Sequence, residues 1–292
     1  MTLDVSLAVL FAGATALSNA VAVATQHIGS TSSEKQLRGW GLVAHLIRQP
    51  LWLFGWVALT GSLVFQALAL RFGPMSEVQP ILVTELVMAL VLRRVWLRQR
   101  LRGVTWLAAL VTCGGLVSFL AATSPRGQAT VPSPSTWTAP VLVCFVLAAL
   151  MVLGAQRGSP ARRAGLFASA TGVLWALEAT FIKATTDTIS SSGYVGALSR
   201  WPLYAFVIGG VAGLFCEQSA LHVGPLKVSQ PFIVIVDPIV SVALGVWLYG
   251  EQLRGGVAHG LLAVAGFLIM CLGVVVLTQT APDTMRAELH RL

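Results

Sequence analysis

The 292-residue sequence predicts an all-α polytopic membrane protein, with nine transmembrane helices forming two inverted four-helix repeats plus a linking helix. Three observations predict it. Apolar residues make up 56% of the chain and charged residues only 10%, where a soluble domain carries about 45–50% and about 25%. Basic residues cluster on alternate connections between the apolar segments, and the second half of the chain repeats the first. The composition excludes a disordered chain, a disulfide scaffold and an ordinary soluble enzyme. Nine spans of about 20 residues would use roughly 180 positions, which leaves no room for a soluble domain.

The spans read from the sequence are 3–25, 51–70, 75–97, 104–123, 137–155, 165–185, 201–223, 228–249 and 257–278. The first opens on Thr2-Leu3-Asp4, without the basic region of a cleaved signal, and is long enough to stay as an anchor. Residues 26–49 read as a polar loop whose later part, 37–47, suits a short interfacial helix. The third span is the least apolar, because Glu85 interrupts it and Arg93 and Arg94 stand near its end. Residues 124–136 are rich in Pro, Ser, Thr and Gly and read as a linker; 281–292 form a tail without a targeting motif. The domain reading is 1–123 for the first repeat, 124–162 for the linker and connecting helix 5, 163–280 for the second repeat and 281–292 for the tail.

The formal net charge of +8 is an orientation signal rather than a nucleic-acid footprint. One side receives Lys35, Arg38, Arg48, Arg93, Arg94, Arg98, Arg100, Arg102, Arg157, Arg162, Arg163, Lys227, Arg286 and Arg291, which is 14 of the 19 basic residues. The other side receives Arg71, Arg126, Arg200 and Arg254, while Lys183 falls within the sixth span. By the positive-inside rule the N-terminus is outside the cell membrane and the C-terminus cytoplasmic. Trp52, Trp96, Trp106, Trp137, Trp201 and Trp247 stand near span ends, at interface depth. Cys113, Cys144, Cys216 and Cys271 lie inside spans with no ligand spacing and read as small core residues.

The repeat recurs at about 151 residues. Residues 66–74, QALALRFGP, match 217–225, EQSALHVGP; Gln79-Pro80 matches Gln230-Pro231; Leu101-Arg102-Gly103 matches Leu253-Arg254-Gly255. In the first and sixth spans, 10–15 (LFAGAT) match 166–171 (LFASAT). One extra crossing between the halves inverts the second relative to the first, the architecture of many secondary transporters. Small residues offer packing seams at Gly209/Gly213, at Gly256/Gly260 and at Ala108/Thr112/Gly115; packing within the chain is the first reading of them, a homodimer face the alternative.

Four of the 11 carboxylates lie well inside spans: Glu85, Glu178, Glu217 and Asp237. A carboxylate in hydrocarbon costs several kcal/mol and faces an interior cavity as a rule. Asp237 is about ten residues into its span, roughly 15 Å deep at 1.5 Å per residue, and Glu85 is at similar depth in the repeat-partner span. The pair is expected to line a central cavity and to bind protons and substrate in turn. Pro238 disturbs the carbonyl one turn before Asp237, whereas Pro80 and Pro231, near helix starts, read as architectural. Gln66 is the repeat partner of Glu217. Asn19, Gln218 and Lys183 add polar candidates, with Lys183 near an outer end from which it would snorkel to water. The histidines are scattered without metal spacing, and no P-loop, Rossmann or nucleophile-elbow motif occurs. The expectation is therefore no enzyme and no cofactor, with membrane lipid and a small solute or cation as partners.

The segment from Ala220-Leu221-His222-Val223-Gly224-Pro225 through Pro231, Asp237-Pro238 and Glu251, echoed by Gly73-Pro74, Pro80 and Glu85, resembles the drug/metabolite transporter (DMT) superfamily over residues 5–280. Nine spans with an outside N-terminus look most like its NIPA-like magnesium transporters and EamA-like bacterial relatives. The resemblance implies ion-coupled alternating access for a small organic metabolite or drug, moved outward. A Mg²⁺ or divalent-cation carrier is the alternative, with Glu85 and Asp237 as metal ligands; Mg²⁺ keeps its waters and needs only one or two carboxylates. A non-transporting membrane subunit is a third reading. The four-span small multidrug resistance proteins carry a first-helix glutamate with a lysine two turns later. If Lys183 is that lysine, Trp175 takes the glutamate position and Glu178 follows about one turn on; Asn19 and His27 take those places in the first half.

Overall fold

The computed structural model describes residues 2–31, 49–96, 102–123, 132–224, 226–251 and 256–280. The interfacial helix expected at 37–47, most of the 124–136 linker and the 281–292 tail lie outside the described residues. The elements are α1 (Thr2–Thr31), α2 (Pro50–Phe72), α3 (Met75–Leu82), α4 (Thr84–Val95), α5 (Gly103–Thr123), a 3₁₀ turn (Pro134–Trp137), α6 (Thr138–Gly154), α7 (Pro160–Leu198), α8 (Trp201–Val223), α9 (Leu226–Tyr249) and α10 (Val257–Thr280). Among the described residues nine helical stretches, α3 and α4 counting as one, are long and apolar enough to cross a membrane. Their outer faces carry exposed Leu10, Val57, Leu110, Val211, Leu261 and Leu272, an apolar surface suited to lipid rather than water.

Three spans differ from the sequence reading. The first helix runs to Thr31, six residues past the expected end at 25. The sixth is far longer than 165–185. Ser159 caps its start by accepting from the Arg162 amide, Pro160 occupies the first turn, and the polar 186–192 stretch continues the helix. Gly193 then breaks it with a left-handed φ of 72°. The third span is two helices, not one. At the junction the Val83 amide donates to Pro80 O and the Leu86 amide to Val83 O, both at 3.2 Å, three-residue bonds in place of the four-residue ladder. Pro80 therefore sits inside a short helix two residues from its end, and it belongs to an interruption rather than to a helix start.

The halves share their packing. α1 packs against α2 and against α3 and α4; α7 packs against α8 and α9. Small residues every fourth position make this possible: Ala8, Ala12, Ala16 and Ala20 on α1, and Ala164, Ala168, Gly172 and Ala176 on α7, all buried. The 156-residue offset that aligns Leu10 with Leu166 aligns these two stripes residue for residue. The turns after α2 and α8 seat on the stripes in the same way. A Cβ at Gly73 would lie 2.6 Å from Ala8 Cβ, and one at Gly224 would lie 2.5 Å from Ala164 Cβ. Across the halves, α3 packs on α9 and α5 on α10.

The seams are used within the chain. Gly115 and Gly273 leave no room for a side chain at the α5–α10 crossing, being pressed against Met270 and Thr112 respectively. Gly213 receives the Trp175 indole, and Gly209 faces Phe181. Gly260 meets nothing within 4 Å and makes no seam. Cys144 and Cys216 are buried, Cys113 and Cys271 half-buried, and all four are free thiols. Trp137, which stands at the start of its span, is buried at 7% exposure. It stacks on Phe181 at 5.8 Å and meets the edges of Trp201 and Tyr249 at 5.1 and 6.3 Å.

Candidate functional site: a carboxylate group shared by the halves

The helix break at Val83 sets Glu85 in the first turn of α4, a terminus whose amide dipoles favour a negative group. Its carboxylate accepts a hydrogen bond from Asn19 Nδ2 on α1 at 3.0 Å. Asn19 Oδ1 accepts in turn from Ser62 on α2 at 2.5 Å. Three helices of the first half thus hold one acid through a chain of polar side chains. In the second half Asp237 Oδ1 accepts from Ser241 Oγ one turn further along α9, at 3.0 Å. Gly172 on α7 lets the backbone at Asp237 approach: a Cβ there would lie 3.0 Å from the Asp237 nitrogen. Glu178 fills the space opened by Gly210 of α8, where a Cβ would lie 2.8 Å from Glu178 Oε1.

Glu85 belongs to the first half, and Glu178, Glu217 and Asp237 belong to the second. Leu86, next to Glu85, packs on the same apolar cluster as Val234 and Ile235, just before Asp237. All four residues are half-buried, and each lies inside a stretch suited to cross a membrane. Like charges at this depth need protons, a cation or water to coexist.

The other sequence candidates divide. Asn19 joins the group through Glu85. Gln66, the repeat partner of Glu217, is half-buried on α2 with no described contact to the acids. Gln218 is exposed and lines a different feature, a groove of about 420 Å³ between α7 and α8 that Arg163 and His222 also line and that none of the four acids touches. Lys183 does not reach water: it is 5% exposed, and its ammonium donates to the carbonyls of Leu70 at 2.9 Å and Gly73 at 3.2 Å. The unsatisfied carbonyls ending α2 bind it better than a snorkelling path would. Ser62 and Ser241 were missed. Ser241 stands four residues after Asp237, a helical spacing legible in the sequence, whereas nothing there singles out Ser62. Among the described residues no group of three or more His, Cys, Asp or Glu side chains is placed to hold a metal ion.

The fold and these acids define a class: an all-helical chain with nine stretches, among the described residues, suited to cross a membrane, and half-buried acids inside such stretches in both halves. No family model matches the chain, and no solved structure does. The chain is similar to an uncharacterized protein of Corynebacterium glutamicum, 28% identical over 279 residues, covering 94% of this chain and 96% of the relative.

Proposed function

We propose that the chain is a secondary active carrier of the drug/metabolite transporter kind, moving a small organic cation or amphipathic metabolite outward across the cell membrane by proton-coupled alternating access. The observation that carries this reading is the placement of one half-buried acid in each half, Glu85 held through Asn19 and Ser62 and Asp237 held by Ser241. A binding centre for a cation needs convergent negative charge away from bulk water, with accessible surface left on the carboxylates. A structural polar core would pair those acids with basic groups. Lys183, the buried base of the same helix as Glu178, is instead spent on backbone carbonyls.

The chemistry is an exchange. Protonated, the acids are neutral and tolerate apolar surroundings; a bound cation displaces protons and leaves the group equally neutral. Either state can cross between the two openings, whereas the empty, charged group is costly to enclose. The inverted orientation of the halves, with the N-terminus outside, supplies two openings related by exchange of conformations. The matching Ala8–Gly73 and Ala164–Gly224 contacts support halves able to adopt each other's arrangement.

The test is uptake into proteoliposomes of a panel of tritiated organic cations under an imposed pH gradient, with Mg²⁺ as a parallel arm. Gradient-dependent cation uptake that falls to the protein-free level in the Glu85→Gln, Asp237→Asn double variant is the expected result. Coupling unaltered in that variant removes the mechanism, and uptake of Mg²⁺ alone replaces the substrate.

A further inference from the structure

Two charged side chains of the second half close on a single turn of the first. The turn is Phe72-Gly73-Pro74-Met75, between α2 and α3. On one side Lys183 donates to the carbonyls of Leu70 and Gly73. On the other, Glu251 Oε1 accepts from the Met75 amide at 2.7 Å and Oε2 from the Ser76 amide at 3.0 Å. A cation thus caps the C-terminus of one helix and an anion the N-terminus of the next, the polarity that both helix dipoles favour. Both side chains are buried, at 5% and 6% exposure.

Local features aim Glu251 at this turn. Gly250, in the left-handed region at φ 63°, ends α9 and folds the chain back. Gly245 leaves the space the carboxylate fills, since a Cβ there would lie 2.5 Å from Glu251 Oε2. Tyr249 covers the assembly: its ring lies 5.1 Å from Lys183 Nζ, and its hydroxyl donates to Thr180 O at 3.1 Å.

The helix that follows the turn holds groups that closure leaves unsatisfied. Ser76 Oγ and Gln79 Nε2 stand one helical turn apart on α3, at 0% and 1% exposure, and neither has a hydrogen-bond partner among the described residues. Dehydrated polar groups of this kind weigh against the closed arrangement, and water admitted to the turn would satisfy both. In the sequence the repeat positions do not carry a second lysine–glutamate pair. The offset aligning Leu10 with Leu166 sets His27 opposite Lys183, and that aligning Leu101 with Leu253 sets Gln99 opposite Glu251.

We propose that Lys183 and Glu251 form a one-sided gate latch, holding the α2–α3 turn closed on the second half at one face of the membrane, with Ser76 and Gln79 as the groups that hydrate when it opens. This rests on the carrier reading above, whose orientation puts the turn outside. The device makes the two openings unequal: the outer one is closed by two buried charges, whereas the sequence has His27 and Gln99 at the repeat positions of those charges. The closed arrangement is then the resting state, and opening requires both charges to leave the turn together.

The experiment labels Ser76→Cys with a membrane-impermeant maleimide in right-side-out vesicles, in a background with the four native cysteines replaced by serine. The latch binds the backbone amide at position 76, so the cysteine leaves it intact. The thiol is expected to be unreactive with the latch present and to react about tenfold faster or more when Glu251→Gln or Lys183→Met is added; Glu251→Asp should fall between. A control cysteine at Met270, fully buried in the α5–α10 crossing, must stay unreactive. Unchanged labelling at position 76, or a gain at both positions, overturns the latch. Transport retained with labelling unchanged would refute the latch and leave the carrier; labelling gained in a protein that moves no solute would refute the carrier and leave a hinged turn.

Discussion

Gly73 stands so close to Ala8 that a Cβ added to it would lie 2.6 Å from the alanine Cβ, and Gly224 repeats the contact on Ala164 at 2.5 Å. The two contacts differ in one respect. A Cβ at Gly224 would also lie 2.6 Å from the Pro160 carbonyl oxygen, whereas at Gly73 the next neighbour is a Val78 methyl at 3.4 Å. Gly73→Ala should therefore destabilise by about 1–3 kcal/mol through overpacking, and Ala8→Gly should restore most of that loss, its own helix cost being about 0.5–1 kcal/mol. Gly224→Ala should be as damaging, with poor rescue from Ala164→Gly because the carbonyl remains. Thermal unfolding midpoints of the four single and two double variants in one detergent check this; equal rescue at both turns would contradict it.

The α5–α10 crossing makes a second contrast. Gly115→Ala and Gly273→Ala press a methyl into the backbone of Met270 and Thr112, and each should cost about 1–3 kcal/mol or more. Gly260→Ala meets open space and should be neutral or stabilise by up to about 1 kcal/mol through helix propensity. The same midpoints read both. A destabilised Gly260→Ala would mean that this face packs on a second copy.

Glu251 and Lys183 act on one turn, so their substitutions should not add. Lys183→Met leaves two buried carbonyls without their donor, and Glu251→Gln weakens two amide contacts; each should cost about 1–3 kcal/mol. In a double-mutant cycle the pair should fall short of the sum by about 0.5 kcal/mol or more. Strict additivity in denaturant unfolding would show that the two charges hold independent elements.

Asn19 is the link between Ser62 and Glu85. Asn19→Leu removes both bonds and leaves the acid held by its helix alone. Transport should fall tenfold or more, by the roughly 1.5–3 kcal/mol of a hydrogen bond to a charged group, while Asn19→Asp should fail in a different way by adding a like charge beside Glu85. Initial uptake rates and KM for the same organic cation in proteoliposomes separate these outcomes. Full activity in Asn19→Leu would remove the α1–α2 support from the site.

Much of this architecture was legible because hydrocarbon punishes polar groups over a whole helix length. The positions of α2, α5, α8, α9 and α10 follow from apolar runs, and the depth of Glu85 and Asp237 follows from counting residues into them. What escaped depends on local backbone and on distance in sequence. The break at Val83 is invisible to hydropathy, since both flanks are apolar. The extension of α7 beyond Thr185 runs through Thr, Ser and Gly residues, weak helix formers that hydropathy leaves outside the span, with Thr186, Thr188 and Ser190 donating to carbonyls one turn back. Lys183 was misread because snorkelling is judged from one helix, while the carbonyls that hold it belong to another 110 or more positions away. Glu251 stood outside every span and was noticed only through the family resemblance. The Gly250-Glu251 pair at a helix end was the available signal.

The central claim is that acids of both halves share one water-reached chamber. Its most direct test is the rate at which a small cationic thiosulfonate modifies Glu85→Cys and, separately, Asp237→Cys, each in nanodiscs and otherwise free of cysteine, with an exposed Ser199→Cys as the positive reference. Both interior thiols should react, and one organic cation should slow both without slowing the reference. Inertness of either interior thiol, or protection of one alone, would contradict a common chamber.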